Sequence, residues 1–247
     1  LRQTEVVEIC LLAGKIMLQS GAETYRVEDT MIRIAQAFAI ENAQVHATPT
    51  AIMFGYDITA PTHFVRIEER ATDLHKVSQV NSISRHVSSQ QLSIEEADKQ
   101  LRQVDQQRDT YPNWVQLLAA AFASGGFTIM FDGRWSDFIP AVIVGGIGYG
   151  MMRYLHNVIK IRFFAEFLAS ILLGVSAFFV VQIGWGLEID NIIIGSVMPL
   201  VPGLLITNAV RDLMAGHLVS GITKGAEAFL TAFAIGAGVS IIFFLVR

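Results

Sequence analysis

The chain has 247 residues, of which 52% are hydrophobic, with a formal net charge of -4 and a mean hydropathy of +0.47. So apolar a composition excludes an ordinary soluble globular protein, and the acidic balance with no basic face excludes a nucleic-acid partner. The one cysteine, Cys10, excludes an intramolecular disulfide.

Composition changes near the stretch "RDTYPNWVQLL". Residues 1–113 hold 11 of the 18 Lys/Arg and 15 of the 22 Asp/Glu, whereas 17 of the 20 glycines come later. The split predicts a small cytoplasmic α+β domain over 1–113, followed by a transmembrane domain over 114–247 built as an α-helical polytopic membrane bundle of five helices.

In chain order, Val6, Val7, Cys10, Leu11, Gly14, Met17 and Leu18 repeat at helical spacing, so the N-terminal stretch reads as an amphipathic helix over 4–19 and not as a signal peptide. Ser20-x-x-Glu23 and Ser93-x-x-Glu96 match the capping-box pattern and predict helices over 21–39 and 93–108, with another over 73–88. Between them, "AQVHATPTAIMFGYD" and "THFVRIEER" are rich in β-branched and aromatic residues and predict two or three short strands, on which His46, Thr48 and Thr50 share a face. Metal-ligand Cys/His spacing, GxSxG and a Gly-rich phosphate loop are missing from the sequence, so no cofactor or metal is expected.

Five apolar runs follow, at about 115–131, 136–152, 163–183, 191–207 and 226–246, each near the ~20 residues that cross a bilayer core. Trp114, Trp135 and Trp185 fall at the ends of these runs, where interfacial aromatics belong. Arg153, Lys160 and Arg162 after the second run, and Arg211 and Lys224 after the fourth, put those connections and the N-terminal domain in the cytoplasm by the positive-inside rule. Five crossings then carry Arg247 outward. Ala121/Gly125, Gly146/Gly150 and Ala232/Gly236/Ser240 present small residues at four-residue spacing, as helices packing closely in lipid require.

The fourth run is the anomalous one. Pro199 and Pro202 remove backbone donors and Gly203 adds freedom, which predicts a kink or break over 199–203. Broken backbone at membrane depth is tolerated where it is buried in protein or lines a wet cavity. Beyond the break, Thr207, Asn208, Arg211 and Asp212 form a polar stripe if the segment is helical, opposite Leu205, Ile206, Ala209, Val210, Leu213 and Met214. Two readings stand: an amphipathic helix over 209–219 at the interface with solvated charges, or a segment folded into the bundle that brings Asn208 and Asp212 to a transport pathway. Arg211 points about 100° away from Asp212 on an ideal helix, so the two do not pair automatically. Glu166 and Glu227 read first as i,i+4 and i,i+3 partners of Arg162 and Lys224, and His217 is a candidate for proton coupling. Ser20, Gly21, Glu23, Arg26 and Glu28 read first as cap and helix-surface residues.

Taken together, "SGAETYRVEDTMIRIA", "HATPTAI" and "PLVPGLLITNAVRDLMAGHLVSGITKGAEAF" resemble the threonine/serine exporter family, specifically its YjjP-like N-terminal half. The most specific part is the series Pro202, Gly203, Asn208, Arg211, Asp212, Gly216, Ser220 and Gly221. The resemblance implies export of small metabolites across a bacterial cytoplasmic (inner) membrane, of threonine and serine or of a dicarboxylate such as succinate. It also implies a second, YjjB-like five-span half, fused or separate, or else a homo-oligomer. On this reading the pathway residues are Pro199, Pro202, Gly203, Thr207, Asn208, Arg211 and Asp212. Glu166, His217 and Glu227 are secondary candidates, Ser20, Gly21, Glu23, Arg26 and Glu28 form a cytoplasmic-domain motif, and the export is coupled to protons. The alternatives are a membrane-anchored hydrolase or a ligand-sensing regulator acting through residues 1–113.

Overall fold

The computed structural model describes residues 2–57, 59–107, 111–159 and 161–246. Contacts divide the chain into two units: Leu1–Thr110 with Leu204–Gly225, and Tyr111–Gly203 with Ala226–Arg247. Residues 204–225, which the sequence groups with the membrane helices, therefore pack with the N-terminal residues. Lys160, Arg247 and the side chain of Arg162, on which part of the charge-based topology rests, lie outside the described residues.

The first unit begins with α1, Arg2–Gln19, whose buried face carries Val6, Cys10, Ala13 and Met17. It ends at Gly21 with φ +84°, where Gly21 N donates to Leu18 O and Ala22 N to Met17 O. This is the glycine-terminated helix end that satisfies orphan carbonyls. The expected helix over 21–39 is present with a later start, but its Ser20–Glu23 capping box does not form. Residues 20–23 are committed to closing α1, and α2 starts only at Thr24 and runs to Ala37 with no side-chain cap from Glu23. The second capping box does form: Ser93 Oγ accepts from Glu96 N and Glu96 Oε2 from Ser93 N, opening α4 (Ile94–Gln106) after α3 (Leu74–Ser88).

Between α2 and α3 lies an antiparallel meander, β1 (Gln44–Thr48), β2 (Ala51–Gly55) and β3 (His63–Arg66), in the order β1-β2-β3. Ala47 pairs with Ile52 and Val45 with Phe54; Ala47, Ile52 and Phe54 are buried. Thr50 sits in the β1–β2 turn, so the expected His46–Thr48–Thr50 face is not one strand face. Gly14 lets α1 lie against the sheet and α2, since a Cβ there would come 2.3 Å from Met31 Sδ and 3.1 Å from Ile52 Cδ1.

The second unit contains α5 (Asn113–Met130), α6 (Trp135–Val158), α7 (Arg162–Gln182), α8 (Ile189–Val197) and a 3-10 turn at Met198–Leu200. Two further helices, α9 (Gly203–Met214) and α10 (Leu218–Val246), complete the chain. Phe122, Ile139, Phe229 and Phe233 are exposed on these long apolar helices, as expected of side chains facing lipid rather than water. Trp114, Trp135 and Trp185 are exposed at helix ends.

The expected five spans are not reached. Among the described residues, Trp135–Val158, Phe163–Gln182 and Leu218–Phe244 are long and apolar enough to cross a membrane, and the broken pair Ile189–Leu200 plus Gly203–Met214 is a fourth candidate. The first expected span is helical, as α5, but Asn113, Gln116, Ser124 and Thr128 dilute its apolar content below that measure. The break expected at 199–203 is present: Val201 is extended (φ -62°, ψ 129°) between the 3-10 turn and α9.

Small residues set the close helix crossings. Gly125 faces Phe138 and Val142, and Gly146 faces Ala121, so α5 and α6 pack through two of the expected small-residue pairs. The third set, Ala232, Gly236 and Ser240, is exposed instead, and the close approach on α10 is at Gly238, against Phe167 O and Ser170. The tightest crossing is α8 on α5, where a Cβ at Gly195 would lie 1.9 Å from Thr128 Oγ1 and 2.7 Å from its backbone N. Since backbone cannot step aside as a side chain can, overpacking there costs about 1–3 kcal/mol or more. Gly195→Val is expected to lower the thermal midpoint of the detergent-purified protein by several degrees or to prevent its accumulation. Gly236→Val, at a position with nothing within 4 Å, is expected to leave it unchanged.

Candidate functional site

The polar residues after the break are organised by the first unit alone. α9 turns Asn208 and Asp212 inward, while Thr207 and Arg211, one step round the helix, are exposed. The stripe read from the sequence is thus two stripes with different surroundings. Ile206, Val210, Leu213 and Met214 are also exposed, so α9 buries polar groups and presents apolar ones outward. That inversion suits a helix bordered by lipid or protein, not one whose charges are simply solvated.

Asp212 is fully buried. Its Oδ1 accepts from Thr24 N at 2.9 Å, and its Oδ2 accepts from Thr24 Oγ1 at 2.9 Å and from Lys224 Nζ at 2.7 Å. Lys224, only 4% exposed, also donates to Ala22 O and Thr24 Oγ1, both at 3.3 Å. The three ammonium protons are therefore all used, and Thr24 Oγ1 both donates and accepts. Thr24 is the first residue of α2, whose free amides and positive helix end attract a carboxylate. Asp212, 188 positions away in sequence, supplies the cap that Glu23 does not.

Around this centre Asn208 Nδ2 donates to Gly21 O at 2.8 Å, and Arg211 NH1 donates to Glu23 Oε1 at 2.5 Å. Arg26 Nε lies 3.5 Å from Glu23 Oε2. Burial works against ionisation of Glu23, but its backbone hydrogen bond, the Arg211 hydrogen bond and the two guanidinium charges outweigh it and hold the carboxyl below the usual glutamate range. A second cluster sits beside the first. Glu28 Oε1 accepts from Ala47 N at 2.8 Å, with His217 Nδ1 at 3.7 Å and His46 Nδ1 at 4.0 Å. Gly216, with φ +86°, closes α9 through His217 N donating to Asp212 O, which aims His217 at this carboxylate.

The structure therefore brings Gly21, Glu23, Arg26, Asn208, Arg211 and Asp212 together, with Glu28 and His217 in the neighbouring cluster. Ser20 lies buried under the turn, its carbonyl accepting from Asp73 N. Thr207 only bonds back to Leu204 O, and Pro199, Pro202 and Gly203 shape the backbone ahead of α9. Glu166 is buried on α7 and Glu227 half-buried on α10, both in the other unit.

Two members, Thr24 and Lys224, are missing from the sequence reading. The expected Lys224–Glu227 pairing is replaced by Lys224–Asp212, because Lys224 points into the packed interior of the unit. A lone lysine inside the apolar run "SGITKGAEAF" was the available signal. Cys10 is buried and inert, its thiol pushed up to about 12 by burial. Among the described residues no group of His, Cys, Asp and Glu could hold a metal ion.

Long apolar helices, outward-facing apolar side chains and a buried polar network define a multi-pass membrane protein. The sequence profile of one family, described as "Putative threonine/serine exporter", matches residues 8–246. The chain belongs to that family. It is 23% identical to the "Probable threonine/serine exporter" of Mycobacterium tuberculosis over 94% of this chain and 45% of that protein, so it spans less than half of that relative. It is 25% identical to the "Probable succinate transporter subunit YjjP" of Klebsiella aerogenes, covering 96% of this chain and 92% of that protein. It is 24% identical to "Pheromone-regulated membrane protein 10" of Kluyveromyces lactis over 97% of this chain and 25% of that protein. No solved structure matches.

Because the carboxyl of Glu23 is held below its ordinary value of 4.5, the stability it contributes is complete above that value and is lost as pH falls through the depressed one. Acid titration of unfolding, followed by circular dichroism in detergent, is expected to show Glu23→Gln less stable than the wild type at neutral pH. The two are expected to converge as pH falls below the ordinary glutamate range.

Proposed function

We propose that this chain is one half, or one subunit, of a proton-coupled secondary exporter in a bacterial cytoplasmic membrane, carrying a small carboxylate-bearing metabolite outward. Threonine and serine, or a dicarboxylate such as succinate, are the substrates that the relatives' names support. The two-part arrangement is supported by coverage: the chain matches less than half of the Mycobacterium exporter but nearly all of a protein named as a subunit. A second half, in the same polypeptide or another, works with it by alternating access, the general behaviour of transporters built from paired repeats with interrupted helices. Residues 1–113 face the cytoplasm.

The observation that carries this reading is the buried Lys224 ammonium held by Asp212 and Thr24 just beyond an interrupted helix. Both substrate classes carry a carboxylate. In the resting chain Asp212 occupies Lys224; in the loaded one the substrate carboxylate takes its place, and Asn208, released from Gly21 O, supplies a neutral donor. Arg211 stays with Glu23 and holds the Ser20–Thr24 turn in position. Exchange of one carboxylate for another keeps the buried ammonium paired, while the displaced Asp212 retains Thr24 N and Thr24 Oγ1 as donors, which limits the roughly 3–5 kcal/mol that stranding a partner costs.

The test uses proteoliposomes preloaded with labelled threonine, serine or succinate under an imposed proton gradient, containing the full chain with and without a five-span second half. Saturable efflux of one substrate only when both are present is expected. Asp212→Asn combined with Lys224→Gln, which keeps hydrogen-bonding groups but removes both charges, is expected to insert yet to export at least tenfold more slowly. Full export by that double variant, or no efflux of any substrate from correctly inserted protein, contradicts the reading.

A further inference from the structure

Among the buried acids of the second unit that the transport scheme leaves unused is Asp137. It is the third residue of α6 and is fully buried. Its Oδ1 accepts from Leu187 N at 2.7 Å, which ties the loop between α7 and α8 to the start of α6. Gly186 permits that approach, since a Cβ there would lie 2.5 Å from Ile192 Cδ1 and 3.6 Å from Asp137 Oδ1. The second oxygen, Oδ2, is buried and has no hydrogen-bond partner among the described residues. Buried carboxylate oxygens are normally paired, and an unpaired one is expensive in the ionised state.

The neighbouring charges do not relieve it. Arg134, at the N-cap of α6, turns to Glu188 Oε1 at 3.3 Å, and Glu188 Oε2 accepts from Asn191 Nδ2 at 2.6 Å. Asp132 before α6 and Asp190 on the first turn of α8 are exposed acids, so the fixed charge of this end of the unit is predominantly negative and attracts a positive particle. The amides of the first turn of α6 act in the other direction and favour the anion.

We propose that Asp137 is a proton-binding site of the membrane unit, with Oδ2 as the atom that takes the proton. The proton comes from water, forms an O–H bond on Oδ2 and neutralises the buried charge; its return to water restores the anion. Oδ1 keeps its bond to Leu187 N in both states, so the α7–α8 loop senses the exchange directly. A proton fits where a larger ion does not, because Oδ2 has almost no exposed surface. The role of this site as the coupling site rests on the export reading above; the binding itself does not.

The test is infrared difference spectroscopy of the full chain in lipid vesicles as pH is stepped, in sodium-free and sodium-containing buffer. A carboxylic-acid carbonyl band that responds to the step in the wild type and is missing from Asp137→Asn is expected. Asparagine keeps the Oδ1 acceptor for Leu187 N and places a fixed donor at Oδ2, so Asp137→Asn is expected to insert and to melt within a few degrees of the wild type. Asp137→Glu is expected to restore a responsive band. An unchanged spectrum in Asp137→Asn, or a band that responds to sodium instead of pH, overturns the assignment. Because this readout needs no transport, failure of efflux with the wild-type band intact counts against the export reading alone, and absence of a pH-responsive band from the wild type counts against Asp137 alone.

Discussion

The contact between Asp212 and the pair Lys224 and Thr24 is the constraint on which the rest of the first unit depends. It joins the start of α2 to α9 and to the first turns of α10, segments nearly 200 residues apart in the chain. A carboxylate and an ammonium taken out of water lose far more hydration than surface ions do, and only a fully satisfied set of hydrogen bonds offsets that loss. Here every ammonium proton and both carboxylate oxygens have partners. The helix end at Gly21 is part of the same arrangement, because it frees the carbonyls of Gly21 and Ala22 to receive Asn208 and Lys224. The Glu23–Arg211 pair then closes the more exposed side.

A saturated network of this kind is costly to open one member at a time and cheap to open by exchange. That property links packing to transport. In the proposed scheme a substrate that brings its own carboxylate replaces Asp212 without stranding Lys224, whereas an apolar solute of the same size offers no replacement. Under the proposed export reading, specificity for a carboxylate follows from the energetics of the closed state.

Local features were legible in the sequence wherever local rules decide the outcome. The Ser93–Glu96 cap, the meander between residues 44 and 66 and the break at 199–203 all follow from spacing and from residues with fixed backbone preferences. The Ser20–Glu23 box was misread because the same four residues also fit a glycine-terminated helix end, and a long-range cap from Asp212 made the local one unnecessary. Lys224 was assigned to Glu227 because helical spacing offers near partners and is silent about one twelve residues away across a turn. The small-residue face of α10 at Ala232, Gly236 and Ser240 was legible as a pattern, but the helix packs one step round from it, through Gly238. The fully buried Asp137 gave no signal at all, since an acid in the first turn of a helix is ordinary until its surroundings are known.

The most direct measurement is a double-mutant cycle on the buried pair: equilibrium unfolding of the full chain in detergent for the wild type, Asp212→Asn, Lys224→Met and the combination. Each single change is expected to cost about 3–5 kcal/mol by stranding its partner, and the double change clearly less than the sum of the two. Losses that simply add, or single changes with no effect, would contradict the claim that this pair holds the unit together.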